Sequence, residues 1–151
     1  MSRIVVLAAG NAARGDDGIG PALLARLAAE GRPEVALVDA FQFQVEHALD
    51  LAGAEVALFI DAHLSQREDV RLDPVQPAAA VTVQSHALSP AEVLRVSLQI
   101  GQVPPPSWLL SVRGEDFALG APLSPSAQRR IALAWEQLQA WLAARSVPVQ
   151  S

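Results

Sequence analysis

Two aspartates and a histidine in this sequence occupy places from which they could share one divalent ion. Asp17 lies in the loop after the apolar run Ile4 to Ala9, Asp61 closes a second apolar run from Glu55, and His86 ends Gln84-Ser85-His86 after a third, shorter run. Open parallel sheets bind ligands beyond the carboxyl ends of their strands, so side chains just past such runs can converge there. Carboxylate oxygens with an imidazole nitrogen suit borderline divalent metals such as zinc, nickel or manganese. A plainer alternative makes Asp17 a helix cap, Asp61 the cap of a turn and His86 a loop residue.

The loop that holds Asp17 is the most informative stretch. Gly10-Asn-Ala-Ala-Arg-Gly-Asp-Asp-Gly-Ile-Gly20 packs four glycines and two adjacent acids between a strand and a helix. It lacks the G-x-G-x-x-G spacing of a dinucleotide fold, and Asp16 and Asp17 would repel a phosphate that a helix N-terminus otherwise attracts. A cation fits it better. Asp16 is a candidate general base or helper because it adjoins Asp17. His63, two residues past Asp61, is a candidate accessory ligand. Asp39 stands at another strand end, and His47 reads as a surface or partner-facing residue.

Other hydrolytic chemistries lack their parts. The chain has no cysteine, no Gly-x-Ser-x-Gly elbow and no His-Glu-x-x-His helix, so nucleophilic-serine and zincin readings fall away while metal-assisted hydrolysis stays open.

The elements needed to position these residues are legible. Ile4 to Ala9 reads as a strand buried on both faces, followed by a helix from Ile19 to Glu30 that Gly31 and Pro33 stop. Val35 to Asp39 is a strand, Glu46 to Leu51 a short helix, and Glu55 to Asp61 the most apolar strand. Val70 to Pro74 and Ala80 to Val83 are expected to form an edge hairpin. Ser89, Pro90 and Glu92 spell a capping box for a helix to Ile100. The last strand is Trp108 to Val112, and Ser124-Pro125 opens a helix to about Ala144. Strands alternating with helices predict an α/β three-layer sandwich: a mostly parallel twisted sheet of about five strands with helices on both faces. Trp108, Trp135 and Trp141 read as core.

The order of these motifs resembles the hydrogenase maturation endopeptidases. Gly10-Asn11, then Gly15-Asp16-Asp17-Gly18-Ile19-Gly20 opening a helix, then a strand ending in Asp61-Ala62, then Ser85-His86 before a helix, carry the likeness from residue 4 to about 145. The resemblance implies an endopeptidase that removes the C-terminal extension of a [NiFe]-hydrogenase large-subunit precursor after nickel insertion. Nickel would be carried by the substrate, with zinc or cadmium able to substitute, and would be gripped by Asp17, Asp61 and His86. Asp17, Asp61 and Asp16 are the catalytic candidates. The alternative on the same fold is a non-catalytic binding module or chaperone for a metalloenzyme precursor. Where relatives carry Gly-x-Gly-Asn this chain has Ala8-Ala9-Gly10-Asn11, and in place of a Gly-Gly-Thr turn it has Ala40-Phe41-Gln42-Phe43-Gln44. That second loop is expected to shape partner recognition.

Composition bounds the rest. At 151 residues with 51% hydrophobic and 18% charged residues, one folded domain over 1–151 is expected, with 146–151 as a frayed tail. A net charge of −5 and the complete absence of lysine argue against a nucleic-acid surface. No apolar run approaches a membrane span and the first residues read as a strand rather than a signal peptide. A cytoplasmic monomer is the expectation.

Overall fold

The computed structural model describes residues 3–81 and 87–145. Five strands form one sheet: β1 (Ile4–Ala9), β2 (Val35–Ala40), β3 (Val56–His63), β4 (Val70–Val75) and β5 (Ser107–Arg113). Their order is β2-β1-β3-β5-β4, with β4 antiparallel to β5 and every other pairing parallel. Four helices complete the fold: α1 (Ile19–Ala28), α2 (His47–Asp50), α3 (Pro90–Gln99) and α4 (Pro125–Arg145). A 3-10 turn, Gly15–Gly18, leads into α1.

All six residues of β1 are buried because both faces of the sheet are covered. On one face, Val6, Ala8, Leu58, Ile60, Leu110 and Val112 meet Ile19, Leu23 and Leu27 of α1 and Ile131, Leu138 and Leu142 of α4. On the other, Val5, Leu7, Ala57 and Phe59 meet Leu51 beside α2 and Val93 and Leu94 of α3. The architecture is thus the α/β three-layer sandwich the sequence predicts.

Two details differ from the sequence reading, and a third expectation falls outside the described residues. First, β3 continues to His63, so Asp61 sits inside the strand rather than at its end, and its backbone pairs with Ser111 of β5. Second, β4 does not pair with a strand at 80–83. It pairs with β5, while Ala80 and Val81 are not in a strand and Thr82 and Val83 lie outside the described residues. The expected hairpin is therefore replaced by a non-local pairing, whose gain is a continuous sheet with β4 as its edge. Pro74 is tolerated there because residues 71, 73 and 75 alternate with it in the ladder, which leaves its missing N–H pointing away from β5. Third, the expected frayed tail, 146–151, lies outside the described residues. Among the described residues no helix is long and apolar enough to cross a membrane.

The chain reverses direction across the sheet at β1: the connection from β1 goes outward to β2, and the next crosses back to β3. Loops after β1 and β3 therefore part at the carboxyl ends of adjacent strands and leave a crevice between them.

The capping box at α3 forms as the sequence predicts. Ser89 Oγ accepts from Glu92 N at 3.2 Å, and Glu92 Oε1 accepts from Ser89 N at 2.9 Å. Ser89→Ala should lower stability by about 1 kcal/mol, a drop of about 2–4 °C in Tm that a thermal melt would read.

Candidate functional site

Asp17 reaches the crevice from the 3-10 turn, which touches β3. Its backbone N–H donates to Arg14 O at 3.0 Å, and its Oδ2 accepts from Asn11 N at 2.8 Å. Gly10 makes this tight return possible. Its φ of +148° is a region side chains avoid, and a Cβ there would collide with the carbonyl oxygen of Asp17.

Asp61 comes from the neighbouring strand. By the two-residue period of β3 it shares a face with Ala57 and Phe59, the face covered by α2 and α3. Its Oδ1 accepts from the N–H of Ala62 at 2.9 Å, the one hydrogen bond at this carboxylate among the described residues. Burial pushes its pKa up to about 7; the Ala62 hydrogen bond opposes this, and the negative charge of Asp17 raises it further.

His86 lies outside the described residues. The segments flanking it both pack on the Asp61 face: Val81 on one side, and on the other Leu88, whose N–H donates to Phe43 O at 2.8 Å. Among the described residues no group of three or more His, Cys, Asp or Glu side chains gathers around a common point.

Asp16 is not placed to act as a base. It is 0% exposed. Its Oδ2 accepts from Glu115 N at 2.8 Å and from Ser124 Oγ at 2.7 Å, and its Oδ1 accepts from Ser124 N at 2.8 Å. Burial alone would raise its pKa, but these donors outweigh it and hold the carboxyl below the usual range. A carboxylate so stabilised and so enclosed is a poor proton acceptor for a substrate, which corrects the helper role suggested by its adjacency to Asp17.

His63 follows Asp61 on the same face, half-buried, with its pKa lowered by burial. It stands at the wall of an open cleft of about 520 Å³ whose floor includes Leu109 and Ser111 and whose outer side carries Arg71 and Asp73. Asp39 is exposed at the end of β2 and, with Gly10, Ala12 and Pro21, lines a smaller cavity of about 180 Å³. His47 is buried rather than partner-facing: Nδ1 accepts from Gln44 N at 2.8 Å, and its ring meets Phe43 edge-on at 6.1 Å.

The loop after β2 is divided in its roles. Phe43 is buried against Phe59, with centroids 5.2 Å apart and planes at 87°, while Phe41 is 78% exposed. Sequence reasoning missed this anchoring, and it missed Ser124 as a partner of Asp16. The Ser-Pro signal at 124 and 125 pointed only to a helix cap, which is also present, Ala127 N donating to Ser124 Oγ at 3.3 Å.

A mostly parallel sheet covered on both faces, with Asp17 following one strand and Asp61 near the carboxyl end of its neighbour, defines an α/β class that binds ligands beyond those strand ends. Among solved structures the likeness is to the hydrogenase maturation endopeptidases. HybD of Escherichia coli, a hydrogenase maturating endopeptidase, superposes with a TM-score of 0.73 at 23% identity, over 94% of this chain and 93% of that one. An endopeptidase from Escherichia coli gives 0.73 at 25% identity over 96% and 94%. The [NiFe] hydrogenase maturation protease HycI from Thermococcus kodakarensis gives 0.69 at 22% over 94% and 93%. No family model matches the sequence, and no curated protein matches it. The fold of this chain is that of the hydrogenase maturation endopeptidases, as the motif order implied.

The raised pKa of Asp61 has a stability consequence. A folded-state pKa lifted from 3.8 to about 7 means the folded protein holds a proton that the unfolded chain releases, so stability falls as pH rises from about 4 to 7 and is level above that. The difference amounts to at most about 4 kcal/mol. Asp61→Asn keeps an oxygen for the Ala62 N–H and removes the charge. It should therefore raise Tm at pH 8 by about 5 °C or more and change it little at pH 4, as read by thermal melts across pH.

Proposed function

We propose that this protein is an endopeptidase that removes the C-terminal extension of a [NiFe]-hydrogenase large-subunit precursor after nickel has been inserted. The reading is supported by the placement of Asp17 just past β1 and of Asp61 near the carboxyl end of the neighbouring β3 in this particular fold. Asp61 sits largely out of water, with one hydrogen bond among the described residues and the like charge of Asp17 near enough to raise its pKa. Such a pair is electrostatically incomplete, and a divalent cation completes it.

Nickel in this reading belongs to the substrate. Asp17 and Asp61, with His86 from the segment before α3, grip an ion already seated in the precursor, so a precursor without nickel offers the crevice nothing to hold. Two carboxylates and an imidazole suit nickel, and equally zinc or cadmium as substitutes. Because Asp61 is partly protonated near neutral pH, ion binding displaces a proton from it, and affinity for the ion rises as pH increases through 7. A divalent ion so held polarises a nearby carbonyl or lowers the pKa of a bound water. Attack by water on the scissile carbonyl then breaks the peptide C–N bond, adding hydroxyl to carbon and a proton to nitrogen.

The chain's own contribution is positioning. Asn11 N–H fixes the Asp17 carboxylate, the β3 backbone fixes Asp61, and the open cleft beside His63 and Ser111 leaves room for polypeptide next to the acids. The enzyme acts in the cytoplasm as a monomer in this reading.

Incubation with purified precursor, nickel-loaded or nickel-free, tests the proposal. A shortened large subunit should appear only in the nickel-loaded sample. Asp17→Asn, Asp61→Asn and His86→Ala should each slow its appearance by roughly 100-fold or more, since even groups that merely orient a ligand contribute about 10–100-fold. Stable association with no shortening, unchanged by these substitutions, would instead indicate a chaperone for the precursor.

A further inference from the structure

We propose that residues 114–124, the segment after β5, form a clasp that sets the position of the Asp17 carboxylate through Asp16, which makes Asp16 and Ser124 positioning residues of the ion-gripping site. The inference rests on the reading of Asp17 as a ligand and extends it to a part of the chain that reading does not use.

The contacts between the two segments are dense. Asp16 places its carboxylate on Glu115 N, Ser124 N and Ser124 Oγ, and its own N–H donates to Asp116 O at 2.8 Å. On either side, Gly15 N donates to Ala121 O at 3.0 Å and Gly120 N to Ala13 O at 2.7 Å. Gly15 adopts φ +55°, and a Cβ there would collide with the carbonyl oxygen of Asp116, so the segments touch backbone to backbone. Asp17 itself is held more sparsely, by Arg14 O at its N–H and by Asn11 N at its carboxylate.

The clasp is braced from behind. Arg130 of α4, 4% exposed, donates to Ser126 Oγ at 3.2 Å, to Glu115 Oε1 at 3.2 Å and to Asp69 Oδ1 at 2.9 Å. Ser126 Oγ in turn lies 3.2 Å from Ser124 Oγ. A continuous set of hydrogen bonds therefore runs from the start of β4, through α4, to the residue next to Asp17.

Electrostatics explains why such bracing is needed. Asp17 and Asp61 repel, and a free 3-10 turn would relieve the repulsion by swinging Asp17 into water. Asp16 opposes this by fastening the turn, its carboxylate taken up by Glu115 N, Ser124 N and Ser124 Oγ. An ion then meets an Asp17 carboxylate already held in place instead of having to order it.

The test uses Asp16→Asn and Ser124→Ala, with Arg3→Ala, which removes an ion pair to Glu55 at the opposite, amino-terminal ends of β1 and β3, as the control. Two quantities are read: amide hydrogen exchange at Asn11, whose N–H bonds the Asp17 carboxylate, and cadmium affinity by calorimetry. Ser124→Ala and Asp16→Asn should speed Asn11 exchange and weaken cadmium binding by about tenfold, while Arg3→Ala does neither. Should Asp16→Asn fail to fold, Ser124→Ala, which keeps the backbone N–H donor, decides alone. Wild-type exchange at Asn11 in a folded Ser124→Ala protein overturns the clasp. Absence of cadmium binding by the unsubstituted protein would count against the ligand reading, and Asn11 exchange would still decide the clasp.

Discussion

Two carboxylates that repel each other, Asp17 and Asp61, are the point around which this structure is arranged. Each would be more comfortable alone in water, and Asp61 responds by keeping its proton to about pH 7. Keeping the pair together requires rigid elements on both sides. The central strand β3 holds one member through pairing with β1 and β5, and a 3-10 turn fastened to the segment after β5 holds the other. A carboxyl buried in this way costs the fold stability at neutral pH, where the unfolded chain would release its proton.

The sheet order makes the pairing possible. With β1 between β2 and β3, Asp17 follows the carboxyl end of β1 and Asp61 lies near the carboxyl end of the neighbouring β3. Helices α1 and α4 close one face and α2 and α3 the other, so the strands that carry the acids are packed and cannot drift. The antiparallel edge strand β4 extends the sheet beyond the acids, and the open cleft lies over it and β5.

The loop after β2 shows how a surface feature can be mobile in sequence yet fixed in space. Phe43 is driven into the core against Phe59, His47 caps the backbone at Gln44, and Leu88 binds the carbonyl of Phe43. Phe41 remains outside, beside the small cavity lined by Asp39. This loop and Leu88, just ahead of α3, are thereby tied together.

Local signals were sufficient for much of this. Apolar runs named β1, β2, β3 and β5, caps named the starts of α3 and α4, and alternation of strand and helix named the α/β sandwich, because each depends on residues near one another in the chain. The positions of Asp17 just past β1 and of Asp61 toward the carboxyl end of β3 were legible too, since both follow from the apolar runs before them. The partner of β4 was not legible, because edge pairing is decided by whichever strand presents a free ladder, and β5 lies more than thirty residues further on. Nor was the role of Asp16. From the sequence it and Asp17 are equivalent neighbours, and only the folded chain turns one into the interior, onto Glu115 and Ser124, and the other into the crevice. Residue type and periodicity set what could be buried or charged; contacts between segments remote in the chain decided which acid secures the turn from inside and which is left to accept from Asn11.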